Sequence, residues 1–362
     1  MNTYYIGVMS GTSLDGVDVV LCTIHQDRCT VLFSHEHPFP QSLKNTVLHC
    51  IAHRVSLADV GVLHHRLGQL FSQAVNTLLA EACIAPEAVE AIGLHGQTLW
   101  HEPNGSYPFS MQLGDAAIVA VETGIDVVSD FRSKDLSLGG QGAPFAPVFH
   151  HFLFANLHGV SAVVNIGGMA NITIIDDPLQ GYDTGPGNVL LDLWIQRHQN
   201  VAFDRDGAWA QSGNVHSELL KRMLQEPYFL QPPPKSTGRE HFNETWITNR
   251  LAHLHVTPAD VQATLLALTV HTIADAVHNS TAIRLLLCGG GAKNGTLVAQ
   301  LCARLEDIEV NRTDTYGVSS DMMEAMTFAW LAYKRLRHES VPLHNVTGAK
   351  RNTILGAVYA SR

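Results

Sequence analysis

The sequence predicts an α/β protein built from two halves that repeat one order of elements. Each half opens with a strand, a glycine turn and a second strand, at 6–21 in the first half and at 162–175 in the second. A helical stretch follows in each half, and then a buried apolar strand that ends in a glycine-containing loop. Because α/β sheets bind ligands beyond the ends of their strands, we expect both turns and both loops to face one central cleft.

Length and composition restrict the class of protein further. With 362 residues, of which 46% are hydrophobic and 15% charged, the chain can form two cores. The formal net charge of -10 argues against nucleic acid or an anionic membrane as a partner, because either would repel the protein. The first residues lack a signal-peptide pattern and no apolar run reaches the length of a membrane span, which predicts a cytoplasmic protein. Neither the cysteine spacing nor the paired histidines predict a metal site.

The first glycine turn is a candidate phosphate site. Gly11 and Gly16 can adopt backbone angles closed to other residues, and the small residues between them leave amides open to an anion. The two glycines have P-loop spacing, but Val17 and Asp18 stand where a P-loop needs lysine and a hydroxyl, and a strand follows instead of a helix. A P-loop is therefore excluded. An ordinary hairpin whose glycines only form the turn is the alternative.

The rest of the first half follows from periodicity and caps. Ser56 and Asp59 form a capping-box pattern before apolar residues at helical spacing. In order, this half is expected to contain an edge strand near 30–34, an amphipathic helix from Ser56 to Leu79, a buried strand at 91–94, a helix from 114–115 and a last strand at 125–129.

The second half repeats this plan after its own hairpin. We expect a helix at 186–196, a second helix that begins at Thr257-Pro258, and an apolar strand at 284–288. The proline-rich stretch 232–240 is predicted to be a loop within this half rather than a domain boundary, which falls more naturally between 130 and 161. The domains expected are 1–130, which the tail 345–362 can join, and 131–344.

Eight short motifs carry a family resemblance. In chain order they are Met9-Ser10-Gly11-Thr12-Ser13-Leu14-Asp15-Gly16, His95-Gly96-Gln97-Thr98, Asp130-Phe131-Arg132, Gly139-Gly140-Gln141-Gly142-Ala143-Pro144, Asn165-Ile166-Gly167-Gly168-Met169-Ala170-Asn171, Asp183-Thr184-Gly185-Pro186-Gly187-Asn188, Pro234-Lys235-Ser236-Thr237-Gly238-Arg239-Glu240 and Cys288-Gly289-Gly290-Gly291-Ala292-Lys293-Asn294. This ordered set resembles the anhydro-N-acetylmuramic acid kinase family, in the superfamily of acetate kinase, sugar kinases, heat-shock chaperones and actin. The resemblance implies two duplicated RNase H-like (actin-like ATPase) domains around a central nucleotide cleft.

The resemblance also implies a reaction. ATP and water would convert 1,6-anhydro-N-acetylmuramic acid into N-acetylmuramic acid 6-phosphate in peptidoglycan recycling. Phosphoryl transfer needs positioning and charge neutralisation, and opening the glycosidic bond needs a base to activate water. Because the phosphoryl group can capture the departing O6, one carboxylate can be enough. A conventional sugar kinase of the same superfamily is the first alternative, and a non-catalytic nucleotide-dependent binding module is the second.

Asp183 is predicted to be the general base. It precedes Pro186, a residue that suits the first turn of a helix, so its carboxylate would lie at the positive end of a helix dipole and stay ionised. The resemblance gives Asp183 the same role. A helix cap or a magnesium ligand is the alternative role.

The substrate is expected to meet residues of the first half and of the C-terminal region. Arg132 suits a bidentate grip on the lactyl carboxylate, with a surface ion pair to Asp130 or Asp135 as the alternative. Glu324 is predicted to lie in the first turn of a helix that starts at 319–320, where an acid also complements the helix dipole. The substrate-binding residues that the resemblance implies are Thr98, Arg132, Glu324, His95 and Gln97.

ATP is expected to contact three glycine-containing loops. They comprise Gly11, Thr12, Ser13, Leu14, Asp15, Gly16, Val17 and Asp18 in the first turn, Gly167 and Gly168 in the second, and Gly289, Gly290, Gly291 and Asn294 after the last strand. Asn294 replaces the third glycine of a dinucleotide fingerprint, which argues against a nicotinamide cofactor. Mg²⁺ is expected to accompany ATP, and Asp15, Asp18 and Asp183 are all possible ligands. The other partners expected are small molecules, and a homodimer is compatible with the sequence.

Overall fold

The structure of the protein is a computed structural model that describes residues 3–11 and 14–362. The chain divides into two compact units: unit 1 contains the described residues up to Leu153 together with Met322–Arg362, and unit 2 is Phe154–Asp321. Compared with the division expected from the sequence, residues 131–153 and 322–344 belong to unit 1 rather than to the second half. In the described part of the chain, no helix is both long and apolar enough to cross a bilayer.

Runs of two or three strands and runs of helices follow one another along much of the chain. The strands are β1 (Tyr4–Met9), β2 (Gly16–His25), β3 (Arg28–Pro38), β4 (Val89–Leu94), β5 (Gln97–Glu102), β6 (Phe109–Leu113), β7 (Val127–Ser129), β8 (Ser161–Ile166), β9 (Met169–Ile175), β10 (Gln180–Pro186), β11 (Arg284–Cys288), β12 (Glu309–Arg312) and β13 (Ala357–Tyr359). The α-helices are α1 (Gln41–Ala52), α2 (Leu57–Ala82), α3 (Ala116–Thr123), α4 (Ser133–Ser137), α5 (Ala146–Phe154), α6 (Val189–Gln199), α7 (Ala208–Ser212), α8 (Ser217–Leu224), α9 (Glu244–Leu251), α10 (Pro258–His278), α11 (Gly295–Arg304), α12 (Met323–Leu336) and α13 (His344–Thr347).

The sheet of unit 1 has the strand order β13-β7-β4-β1-β2-β3. β1 runs antiparallel to β2 and parallel to β4, with Val8 opposite Val19. Apolar residues of these strands pack against α2 through Leu67 and Phe71, which are fully buried. α12 also packs on β1 and β4, so the C-terminal region of the chain completes this unit.

The sheet of unit 2 has the order β10-β9-β8-β11-β12. β8 is antiparallel to β9 and parallel to β11, as β1 is to β2 and β4. Five strands therefore follow the same order in both units, β3-β2-β1-β4-β7 in unit 1 and β10-β9-β8-β11-β12 in unit 2. The predicted repetition of two α/β halves is confirmed.

The helix starts predicted from local sequence signals agree with the structure at α2 and differ from it at α6 and α12. Ser56 caps α2, with Asp59 N donating to Ser56 Oγ at 3.2 Å and Ser56 N donating to Asp59 Oδ2 at 3.0 Å, as predicted. The helix predicted at 186–196 begins instead at Val189, because Pro186 pairs with Met169 as the last residue of β10. The helix predicted to start at 319–320 begins at Met323. α1 and the β5–β6 hairpin were not predicted.

Candidate active site

The first glycine turn is tied to the loop that follows β4. Ser10 Oγ donates to Gln97 Oε1 at 2.7 Å, and Gln97 Nε2 donates to the Gly11 carbonyl at 3.4 Å. Gln97 is buried, so its amide fixes the turn from inside unit 1. Leu14 N also donates to the Gly11 carbonyl at 3.3 Å, with a left-handed φ of 56° at Leu14. Thr12 and Ser13 lie outside the described residues.

The remainder of this turn leads into β2. Asp15 is exposed and its Oδ1 forms an ion pair with Lys44 Nζ at 3.1 Å. Gly16 is the first residue of β2, Val17 is buried in the core, and Asp18 lies opposite Met9 in the β1–β2 ladder. Asp15 therefore already has a cationic partner in Lys44, with which a magnesium ion would have to compete for its carboxylate.

Arg132 and His95 form a second part of the site in unit 1. Arg132 Nη2 donates to His95 Nε2 at 2.7 Å and Nη1 donates to the Gly142 carbonyl at 2.6 Å. Because the guanidinium can only donate, His95 Nε2 must be the unprotonated acceptor. Burial, with the nearby Arg132 charge, lowers the pKa of His95 well below its usual range, which keeps the ring neutral.

The Arg132 guanidinium has a donor to spare. Its Nε is buried and has no hydrogen-bond partner among the residues that the structure describes, and the group lies 5.2 Å from the Phe145 ring centroid. Within the described part of the chain, no ion pair joins Arg132 to Asp130 or Asp135. Burial lowers the pKa of Arg132 to about 10, whereas the Glu324 charge opposes that change. The surface ion pair considered for Arg132 is therefore not formed.

Thr98 and Glu324 lie on different elements of unit 1. Thr98 is in β5, and its Oγ1 accepts a hydrogen bond from Gln112 Nε2 at 3.2 Å. Glu324 is exposed in the first turn of α12, as predicted, and acts electrostatically on Arg132. Unit 1 thus brings together the turn, Gln97, His95 and Arg132 through direct contacts.

Asp183 lies in unit 2, in strand β10. Its Oδ2 accepts a hydrogen bond from Thr237 N at 3.0 Å, and its backbone carbonyl accepts one from Tyr228 Oη at 2.7 Å. The predicted helix-dipole environment is wrong, since α6 begins only at Val189. Burial instead raises the pKa of Asp183 from 3.8 to about 6, and the nearby Glu240 charge raises it as well. The carboxylate is a stronger base than an exposed aspartate.

Three residues around Asp183 had no role assigned from the sequence. Lys235 accepts the Asp183 amide hydrogen bond through its carbonyl at 3.0 Å, and Thr237 binds the carboxylate. Lys235 Nζ donates to the Tyr228 and Phe229 carbonyls at 3.3 and 3.1 Å. The motif 234–240 contains two of these residues, but its contact with Asp183 spans 54 positions, which no spacing rule reveals.

The second glycine turn is held by the start of α6. Gly187 N and Val189 N donate to the Gly168 carbonyl at 2.9 and 3.1 Å, and Asn188 N donates to the Gly167 carbonyl at 2.8 Å. A Cβ on Gly187 would overlap the Gly167 carbonyl oxygen. This close approach requires glycine at 187 and makes the turn a rigid part of unit 2.

The loop after β11 packs on the end of β8. A side chain on Gly289 would overlap Asn165, and one on Gly291 would overlap Ile166. Gly290 has open space around its Cα, so it is the member of the three that can face a ligand. Asn294 caps α11, and its Oδ1 accepts from Leu297 N at 3.0 Å.

The described acidic side chains offer a metal ion few ligands at any one position. Among the described residues, no group of three or more His, Cys, Asp or Glu side chains could hold a metal ion. Asp183 Oδ1 accepts no hydrogen bond from any described residue, so one oxygen of this carboxylate is open to a ligand or water. This fits a magnesium ion that takes most of its ligands from phosphate and water.

Comparison with known proteins gives a consistent result. A model of the anhydro-N-acetylmuramic acid kinase family matches residues 3–361. A protein of that name from Sulfurovum sp. (strain NBC37-1) is 56% identical over 98% of this chain and 98% of its own length. Another from Sulfurimonas denitrificans is 49% identical over 99% of this chain and 100% of its own length. Among solved structures, the activator of 2-hydroxyisocaproyl-CoA dehydratase from Clostridium difficile is 12% identical and covers 92% of this chain and 96% of its own, with a TM-score of 0.47. The family model and the two relatives match this chain over nearly its whole length. The chain therefore belongs to the anhydro-N-acetylmuramic acid kinase family.

Proposed function

We propose that this enzyme uses ATP and water to open the 1,6-anhydro ring of 1,6-anhydro-N-acetylmuramic acid and to phosphorylate O6. The products are N-acetylmuramic acid 6-phosphate and ADP, in peptidoglycan recycling. Family membership supports the substrate, and the environment of Asp183 supports the chemistry. The observation that carries the proposal is a partly buried carboxylate with one oxygen held by Thr237 and a pKa raised to about 6.

Asp183 acts as the general base in this proposal. A base works best when its pKa lies just below the working pH, because it is then ionised and still binds a proton well. With a pKa of about 6, Asp183 is mostly ionised at pH 7 and more basic than an exposed aspartate. It removes a proton from the water that attacks the anomeric carbon, while the bond from that carbon to O6 breaks. O6 then bonds to the γ-phosphorus, which loses its bond to the terminal oxygen of ADP.

Arg132 binds the lactyl carboxylate of the sugar. Its partly buried guanidinium carries a positive charge in a protein of net charge -10, and its Nε is a buried donor that a carboxylate oxygen can satisfy. His95 orients Nη2 as a neutral acceptor. Thr98 and Glu324 are proposed to contact the sugar hydroxyls, with Gln97 supporting the loop that carries Thr98.

ATP is proposed to bind through the glycine turns of each unit. The turn from Gly11 to Asp18 and the turn at Gly167 and Gly168 would face the phosphates, and Gly290 would face the nucleoside. Magnesium would neutralise phosphate charge when bound, with Asp15 and Asp18 as candidate ligands, and Asp183 would be a ligand only in the alternative in which it is not the base. A cytoplasmic location and a homodimeric state are part of the same proposal.

A coupled assay of ADP release tests the proposal with three sugars. We expect turnover with 1,6-anhydro-N-acetylmuramic acid and little with N-acetylmuramic acid or N-acetylglucosamine. Preference for N-acetylmuramic acid would instead identify a conventional sugar kinase. ADP release that does not depend on any sugar would identify a nucleotide-dependent binding module.

A further inference from the structure

The loop 235–241 contains an exposed arginine, Arg239. Arg239 is exposed and forms no hydrogen bond, ion pair or ring contact with any residue that the structure describes. The carboxylate of its neighbour Glu240 lies close to Gly238. Exposed arginines are commonly solvated surface residues, so the position of the guanidinium has to decide whether this one has a role.

The guanidinium of Arg239 lies beside the second glycine turn. A Cβ placed on Gly168 would be 3.7 Å from Arg239 Nη2 and 4.0 Å from Nε. The turn itself is fixed, since its carbonyls accept hydrogen bonds from the start of α6. A cation with all its donors available therefore lies alongside the turn at which we propose the ATP phosphates bind.

The loop that carries Arg239 is fixed at several points. Thr237 N donates to Asp183 Oδ2 at 3.0 Å, and both His241 N and Phe242 N donate to the Gly238 carbonyl, at 3.1 and 3.0 Å. His241 Nε2 also lies 3.2 Å from Glu226 Oε1. Arg239 is thus two residues from the amide that holds the general base, on a loop whose course is set by contacts within unit 2.

We propose that Arg239 is a catalytic residue that binds the transferring phosphoryl group of ATP beside the Gly167–Gly168 turn. This proposal rests on the proposed function and assigns a charge-neutralising residue to it. The planar guanidinium has five donors that match phosphoryl oxygens, and phosphoryl transfer spreads negative charge over those oxygens. Arg239 donates hydrogen bonds only: the γ-phosphorus loses its bond to the ADP oxygen and gains one to O6, and no proton passes through the arginine.

Two measurements on Arg239→Ala test the proposal. In the sugar-dependent assay, turnover should fall about 10²-fold to 10³-fold while the Kd of ADP changes less than about threefold. Guanidinium ion added to the variant should restore part of the turnover. Arg239→Lys, which keeps the charge but loses the planar fork, should remain impaired. Arg205→Ala removes another exposed arginine from the same unit and should keep wild-type turnover.

The second measurement does not depend on the sugar. Aluminium fluoride is a mimic of the transferring phosphoryl group and should tighten ADP binding in the wild type and in Arg205→Ala. In Arg239→Ala the increase in ADP affinity should be at least about tenfold smaller. The role of Arg239 would be overturned by any of three results. These are equal tightening in Arg239→Ala, no tightening in any of the three proteins, and a loss of ADP affinity in Arg239→Ala as large as its loss of turnover. Failure of the wild type to phosphorylate the anhydro sugar would refute the proposed function, and the fluoride comparison would still decide on Arg239.

Discussion

Asp183→Asn should lower turnover and stabilise the fold at neutral pH. The pKa of Asp183 is raised from 3.8 to about 6 because folding removes much of the water around its carboxylate. A change of that size corresponds to roughly 3 kcal/mol. Because the side chain is only partly buried, we expect the variant to gain about 1–2 kcal/mol in the free energy of unfolding. Asparagine keeps an oxygen acceptor for Thr237 N, so the charge is lost and the contact is kept.

This stabilisation should depend on pH in a defined direction. The folded protein binds the Asp183 proton more tightly than the unfolded chain does, so wild-type stability falls as the pH rises from about 4 to about 6. Above pH 6 the destabilisation is complete. Asp183→Asn lacks this contribution, so the two proteins should differ little near pH 4 and most at pH 7.5.

Urea unfolding followed by tryptophan fluorescence at pH 4.5 and 7.5 measures the stability difference, and sugar-dependent ADP release at pH 7.5 measures turnover. We expect turnover to fall about 10²-fold to 10⁴-fold. Asp307→Asn changes an exposed aspartate of the same unit and should alter neither quantity. Wild-type turnover in Asp183→Asn would refute the base assignment. Destabilisation at pH 7.5 would refute the inferred environment of the carboxylate.

Three further predictions follow from the site. The kcat/KM of the wild type should fall about tenfold per pH unit below a pKa of about 6, measured as a pH–rate profile, and a profile that stays flat down to pH 5 would contradict this. Arg132→Lys should raise the KM of the sugar about tenfold to hundredfold with the KM of ATP unchanged, and an equal rise in both would argue against a carboxylate contact. Gly187→Ala should destabilise the protein by about 1–3 kcal/mol in urea unfolding because its Cβ overlaps Gly167. Gly290→Ala, whose Cβ meets no atom, should change stability by less than about 0.5 kcal/mol, and equal effects would contradict the packing of the turn.

The repeated plan was visible in the sequence because its signals are local. An apolar run before a glycine loop predicts a buried strand, and β11 was predicted at 284–288, where the structure has Arg284–Cys288. The Ser56 cap likewise depends on a residue only three positions away. Interactions of this range are encoded in neighbouring residues, so β11 and the start of α2 could be derived without the structure, whereas α1 and the β5–β6 hairpin were not.

The environment of Asp183 could not be derived in the same way. Pro186 has a φ that suits either a helix start or an extended strand. Because Pro186 pairs with Met169 of β9, it is the last residue of a strand. The backbone N–H of Thr237 donates to the Asp183 carboxylate, and the Tyr228 hydroxyl donates to the Asp183 backbone carbonyl. Both partners lie far away in the sequence, so the burial that raises the pKa of Asp183 depends on tertiary contacts.

The central claim is that Asp183 directs water to the anomeric carbon of a bridged sugar. Turnover of 1,6-anhydro-N-acetylmuramic acid in ¹⁸O-labelled water, with the product examined by mass spectrometry, tests it most directly. We expect one labelled oxygen at the anomeric carbon for each phosphate transferred to O6. Phosphorylated product without label at that carbon would contradict the claim.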